Sequence, residues 1–468
     1  MDGPRKWTPP CRCTDPAAPG LANIVYLSTA PRFFMLLLAT LWMVVPVPAA
    51  AKGLMDVYAL AKQHDADIQI AESRYRAEIQ KKPIARANFL PQVGLEANTA
   101  DVRQETRGQT FGVPGRTVNF NTHGYGLNLS QALYHRDFYV QFRQAQNSVD
   151  KARVDLDAAH QNLIVRTADA YFNVLAAQDA VTFQEAEKKA IGRQLKQAKQ
   201  HFDVGIIAIT DVHEAQASYD LAVVKEIEAL NALEISKAAL EVIVTQRLDN
   251  LFPLSNRMEL VAPSPNNTED WVAKGLQQNL ALLSSEHASK IARQEIKLQQ
   301  SRHHPTLDLV GSYSHLDTSG VSGPREIEDT QLGLEFSMPI FQGGKTHYGT
   351  KQARHNAALA QNEYEKVRRQ TIQDVRDAYL NVISGISRVE ALATAVESNE
   401  SAARAAEAGF QAGTRTSVDV LLAVQETFRA KRDHARARYD YLLHTLKLKQ
   451  ATGTLSVDDL LKIDDWLD

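Results

Sequence analysis

The chain has 468 residues, with 52 Lys and Arg against 55 Asp and Glu, a formal net charge of −3. That balance excludes the basic stripe of a nucleic-acid binder, and 44% hydrophobic residues with only 23 Gly and 17 Pro exclude disorder and collagen. Only Cys11 and Cys13 occur, so the bulk of the chain has neither a disulfide framework nor a cysteine-based zinc site.

Region 1–51 reads as a signal peptide. Arg32 precedes the uncharged run 33–45, and small residues follow at 49–51. A run this short suits a secretory segment, since a spanning helix needs about 20 apolar residues; the alternative is a retained anchor. No cysteine follows, so no lipid anchor is indicated. Beyond residue 51 no stretch approaches ~18–20 apolar residues. A membrane-embedded mature chain would therefore have to be a β-barrel.

The remainder reads as repeat 1 over 52–252, a linker over 253–268, repeat 2 over 269–454, and a tail over 455–468. Asp169-Ala170-Tyr171-Phe172-Asn173-Val174 recurs 208 residues later as Asp377-Ala378-Tyr379-Leu380-Asn381-Val382. At the same offset Phe202-x-x-Gly205 returns as Phe410-x-x-Gly413, and Asp211-Val212 as Asp419-Val420. Leu127-x-x-Ser130 and Leu334-x-x-Ser337 match at 207, and Pro91-x-x-x-Leu95 and Pro305-x-x-x-Leu309 at 214. Several matches in one order indicate a duplicated domain.

In chain order, repeat 1 predicts a helix over 54–88 kinked at Pro83, strands over 92–101 and 122–133, a long helix over 136–203, and a helix over 211–246. Repeat 2 predicts a helix over 270–302, strands over 306–317 and 331–341, a long helix over 345–411, and a helix over 419–452. The polar stretches 99–121 and 318–330 read as loops. The long helix has no Pro, and its apolar positions step by three and four, a coiled-coil spacing. At about 1.5 Å per residue it rises ~100 Å, and two shorter helices end to end would match it.

Helices alone would fit a coiled coil without a channel. The strands argue otherwise. They alternate apolar with polar or small residues, as lipid outside and water inside require, and each is long enough to cross a bilayer when tilted. A half-buried soluble sheet shares the pattern. Four strands cannot close a barrel, and open edges are not tolerated in lipid. Two chains would give a filled eight-stranded barrel, whereas three give twelve strands and an open lumen.

Phe202-Asp203-Val204-Gly205-Ile206-Ile207-Ala208-Ile209-Thr210-Asp211-Val212 and 409–421 resemble the periplasmic turns of the TolC family of outer-membrane channel-tunnels. Met338-Pro339-Ile340-Phe341-Gln342-Gly343-Gly344 and Ala451-Thr452-Gly453-Thr454-Leu455 are similar too. The resemblance implies a mainly α homotrimer with a small β part: a 12-stranded barrel in outer-membrane lipid continued by an α-helical barrel across the periplasm. It further implies an exit duct for tripartite efflux pumps or type I secretion. The implied partners are a periplasmic adaptor and an inner-membrane pump or ABC transporter, with no cofactor.

Carried over by position, the resemblance makes Asp419 a ring residue of the periplasmic gate and Thr210, Asp211 and Arg415 its linking residues. Leu422 stands where the family's type protein has a second ring Asp, and Phe410 replaces a linking Tyr. That pattern implies an apolar collar one helical turn from Asp419 and a gate with fewer polar links. Gly205 and Gly413 end the long helices with a left-handed residue, at tips where an adaptor would dock. Alternatives from the residues themselves are helix capping for Asp211 and Asp419 and a solvated turn position for Arg415. Arg415 could also pair with Asp211, within or between chains.

Enzyme motifs fail. Gly344-Lys345-Thr346 imitates the end of a phosphate loop, but Pro339 occupies the first glycine position. His303, His304, His315, His347 and His355 lack zinc-protease spacing and read as scattered surface residues, and no G-x-S-x-G elbow occurs. The competing function is an exported structural coiled coil that spaces or tethers envelope layers.

Overall fold

The expected long helix forms without interruption. In the computed structural model, which describes residues 51–108, 115–255, 257–320 and 323–467, α4 spans Arg136–Asp203. The expected signal segment lies outside the described residues except for Ala51. With no proline and a single glycine, Gly192, nothing in α4 removes an i to i−4 bond. Five further elements precede it: α1 (Leu54–His64), α2 (Ala66–Ile79), α3 (Lys81–Ala87), β1 (Gln92–Glu105) and β2 (Thr117–Tyr134). After it come α5 (Ile209–Val244), α6 (Thr268–Gln278), α7 (Leu280–Ser301), β3 (Thr306–Thr318) and β4 (Arg325–Ser337). The chain ends with α8 (Lys345–Gln411), α9 (Ser417–Ala451) and α10 (Val457–Asp464).

The shorter helices do stack along the long ones. Helices α1 to α3 and α5 pack on α4, while α6, α7 and α9 pack on α8. Helix α7 touches both long helices, and α9 packs across onto α4, which joins the two halves.

The segment expected as one helix over 54–88 is three: one break falls in the turn before Pro83, and another, unexpected one lies upstream. The first break is Asp65, whose extended backbone (φ −63°, ψ 123°) stops α1. Its Oδ1 then accepts the Ile68 N–H at 3.0 Å to start α2 and pairs with Arg166 of α4 at 2.9 Å. A carboxylate only 4% exposed requires such partners. The second break is Gln80: Pro83, in the first turn of α3, has no N–H for the carbonyl of Ile79, the last residue of α2. The segment expected over 270–302 breaks in the same way. Asn279, with matching dihedrals (φ −60°, ψ 123°), accepts from Leu282 N–H at 2.9 Å and donates to the Ala451 carbonyl at 2.9 Å.

The four strands form one antiparallel sheet in the order β1-β2-β3-β4. They are longer than expected, so most of 99–121 is strand and not loop. Strand β4 also begins and ends earlier than the expected 331–341. Its first residues are charged, which hides the alternation, and Pro339 cannot donate to a ladder. Registers Leu95↔Leu127, Leu309↔Leu334 and Leu307↔Phe336 put the leucines and phenylalanine on one face. Glu96, Asn128, Ser312 and Gln331 occupy the other. Val93, Leu95, Leu332, Leu334 and Phe336 are each at least 66% exposed, an apolar face that no described residue covers. Among the described residues, the outer edges of β1 and β4 pair with no strand.

The main core lies at mid-height, around Leu163, Tyr171, Phe172, Leu442 and Leu446. Three tyrosines there hold the connection between α5 and α6. The hydroxyl of Tyr171 donates to the Phe252 carbonyl at 2.9 Å, Tyr441 to Val261 at 3.0 Å, and Tyr379 to Asn266 Oδ1 at 2.6 Å. Tyr171 and Tyr379 are the matched tyrosines of the two repeated hexapeptides. The stretch 455–468, expected as a tail, contains α10, started by a Ser456/Asp459 capping box and buried through Leu460 and Ile463.

Candidate functional site at the helical tips

Each long helix ends in the same backbone device. At the α4 end, Gly205 N–H donates to Phe202 O at 2.9 Å and Ile206 N–H to His201 O at 2.9 Å. At the α8 end, Gly413 N–H donates to Phe410 O at 3.0 Å and Thr414 N–H to Gly409 O at 2.8 Å. This paired pattern needs a left-handed residue after the helix, and φ is +77° at Gly205 and +73° at Gly413. An added Cβ would meet no atom within 4 Å at either position, so conformation and not space selects glycine.

The helices that return from the two tips start differently. Helix α5 begins at Ala208 with no side-chain cap. Asp211 lies in its first turn, half-buried, and makes no side-chain hydrogen bond among the described residues. Thr210 is exposed. Helix α9 begins with a capping box: Thr416 Oγ1 accepts from Asp419 N–H at 3.2 Å, and Asp419 Oδ2 accepts from Thr416 N–H at 2.9 Å. The Thr416 hydroxyl donates to the same oxygen at 2.9 Å. The bonds from Thr416 hold the Asp419 carboxyl below the usual carboxylate range, and the charge of Arg415 adds to them. Thr416 is thus the N-cap, with Asp419 as its reciprocal partner, and neither aspartate is itself the cap. Oδ1 of Asp419 has no hydrogen bond among the described residues, so one carboxylate oxygen remains for other contacts.

The structure brings only part of the expected linking set together. No ion pair joins Arg415 to Asp211 among the described residues. Arg415 instead folds back over the helix end, its amide donating to Gly409 O at 3.2 Å. A Cβ on Gly409 would come within 2.7 Å of Arg415 Cγ, so that glycine makes room for it. Phe410 is 9% exposed and stacks on His201 of α4, with ring centroids 5.6 Å apart. Its repeat counterpart Phe202 is 39% exposed, so matched positions carry different loads. Leu422 is 55% exposed, whereas its neighbour Leu421 is buried in a cluster with Ile191, Leu195 and Val212.

Sequence reading missed His201, Leu421 and the Gln194 Nε2 to Glu407 Oε2 bond of 2.7 Å, all of which join the two helical hairpins. Leu421 was findable, because it lies four residues after Ser417 and one after Val420 on the buried side of α9. Chemically, the tips offer carboxylates, a guanidinium and apolar side chains. Such groups can attract, repel or seal, and they form no nucleophile–base pair. Among the described residues, no helix is long and apolar enough to cross a membrane.

Residues 57–245 and 271–454 match the sequence model of the family described as "Outer membrane efflux protein". Outer membrane protein TolC of Vibrio cholerae is 36% identical over 421 residues, 89% of this chain and 94% of that protein. The alkaline protease secretion protein AprF of Pseudomonas aeruginosa is 28% identical, covering 88% of this chain and 86% of its own length. The CmeC outer membrane channel of Campylobacter jejuni superposes with a TM-score of 0.75 at 17% identity, covering 89% of this chain and 90% of that one. The chain belongs to the outer membrane efflux protein family.

Proposed function

We propose that three copies of the chain close their sheets into a 12-stranded barrel and their helices into a periplasmic tunnel, gated at the tips. The chain is an outer-membrane exit duct that works with efflux or secretion machinery. The observation that carries the trimer is the sheet: among the described residues it has two unpaired edges and an apolar, exposed face, and no helix there is long and apolar enough to cross a membrane. Closure with neighbouring copies satisfies the edges, and lipid covers the face. A structural spacer would have no use for either feature.

At the gate, symmetry gathers three Asp419 carboxylates around one axis. The bonds from Thr416 oppose the rise in pKa that mutual repulsion brings, and a ring of ionised carboxylates favours cations over anions. Leu422, three residues on and exposed, supplies an apolar collar behind them. Arg415, Asp211 and Thr210 are the linking groups, with Arg415 reaching Asp211 between neighbouring chains. Phe410 anchors the α8 tip to α4. The Gly205 and Gly413 turns form the docking end for a periplasmic adaptor, behind which an inner-membrane pump or ABC transporter supplies cargo.

Planar-bilayer recording tests this. Wild-type channels should prefer cations, and Asp419→Asn should lower that preference without abolishing heat-stable trimers on gels. Unchanged selectivity would remove Asp419 from the constriction, and a monomer that keeps its sheet in detergent would remove the duct.

A further inference from the structure

One side-chain cluster lies far from the tips, on the exposed apolar face of the sheet. Along β4 that face runs Phe336, Leu334, Leu332, Thr330, Glu328, Glu326, changing from apolar to acidic at Thr330. Tyr125 and Tyr313 stand at the change, since Tyr313 pairs with Thr330 and Tyr125 with His315. Aromatic rings at such a boundary mark the membrane–water interface of outer-membrane barrels. The acidic end therefore stands on the water side, at headgroup level.

There His315 sits between two carboxylates. Nε2 is 3.5 Å from Glu326 Oε1 and Nδ1 is 3.6 Å from Glu328 Oε1. The ring is held by stacking on Tyr125, centroids 4.9 Å apart and planes 21° from parallel. Neither nitrogen makes a hydrogen bond among the described residues, and Nδ1 is sealed from solvent without a hydrogen-bond partner. No Lys or Arg among the described residues pairs with either glutamate. One ligand atom from each of the three side chains lies within 4.8 Å of the others. Ligands about 2.0–2.2 Å from a tetrahedral Zn2+ stand ~3.4 Å apart, so small side-chain rotations would close the set.

We propose that His315, Glu326 and Glu328 form a divalent-metal site on the outer rim of the barrel. One imidazole with two carboxylates is the donor set of a borderline ion such as Zn2+ or Co2+, and three protein ligands leave a coordination position open to water. The metal bridges β3 to β4 and supplies an imidazole nitrogen with the close partner that its 3.6 Å carboxylate contact does not. The site rests on this hairpin and is independent of the gate.

Isothermal titration of chelator-treated protein in phosphate-free detergent with ZnCl2 tests it, with CoCl2 absorption as a second readout. One ion should bind per chain, and His315→Ala and the double variant Glu326→Gln/Glu328→Gln should each weaken binding at least tenfold. Tetrahedral Co2+ bands should vanish in both. Far-UV circular dichroism and trimer migration check that the variants fold; if His315→Ala does not, the exposed glutamate variants carry the test. No binding by the wild type, or equal binding by folded variants, overturns the site.

Discussion

Helices α4 and α8 are near copies in length, 68 and 67 residues, yet they live in different surroundings. Nineteen residues of α4 are buried, including an almost continuous stretch from Leu163 to Ala177, against nine of α8. Tyr348, Leu359 and Leu380 of α8 are more than half exposed. Matched repeats have thus diverged in load: α4 is the spine of the protomer, while α8 keeps an exposed apolar flank, which the proposed trimer would cover. The hexapeptides show it residue by residue. Phe172 is fully buried between Tyr171 and Tyr439, whereas its counterpart Leu380 is 58% exposed.

That pair gives the largest test. Phe172→Ala should cost about 3–5 kcal/mol and abolish heat-stable trimers. Leu380→Ala should leave the protomer fold within about 0.5 kcal/mol but loosen the assembly, as read by gel migration against temperature. Equal losses would erase the distinction between spine and flank.

Next in size is the link between the two hairpins. Glu187 of α4 is fully buried and accepts from Arg432 of α9 at 2.7 Å. Arg432→Met should destabilise by up to about 3 kcal/mol, because it leaves the buried carboxylate only Lys225 at 3.6 Å, and Glu187→Met/Arg432→Met should recover part of it. Guanidinium unfolding followed by circular dichroism reads both. The tips then offer a finer contrast. Thr416→Ala should cost about 1 kcal/mol at the start of α9, and Ala208→Ser should gain part of that at the uncapped α5. Amide exchange in each first turn is the measurement.

The smallest effect concerns pH. Burial pulls the His434 and His444 imidazoles of α9 below the ordinary histidine range, and nearby Arg438 and Lys447 add to it. A depressed folded pKa means stability present above the unfolded value near 6.5 and lost as pH falls through the folded one. Acidifying from about pH 7 to 5 should modestly lower the dissociation temperature, and less so in His444→Gln.

Much of the architecture was legible because helix continuity is local. Over 136–203 and 345–411 no proline interrupts and the apolar steps persist, so the ends could be placed closely. The breaks at Asp65 and Asn279 were not legible, since their partners Arg166 and Ala451 are 101 and 172 positions away. Helix α10 was readable in retrospect from Ser456-x-x-Asp459, a capping-box signature. The charged start of β4 concealed both the strand and the cluster around His315, which spacing alone made a scattered histidine. At the tips, glycine conformation could be read from sequence, but the roles of Thr416, His201 and Leu421 depend on what faces them.

The near-equal, unbroken span of α4 and α8 makes reach an inherited ruler. A seven-residue deletion shortens either one by about 10 Å and preserves its coiled-coil phase, but only if the other and both return helices lose the same increment. Any drift to a different envelope thickness must therefore proceed by coordinated, whole-heptad edits, and a lone three-residue insertion would swing one tip out of alignment with its twin.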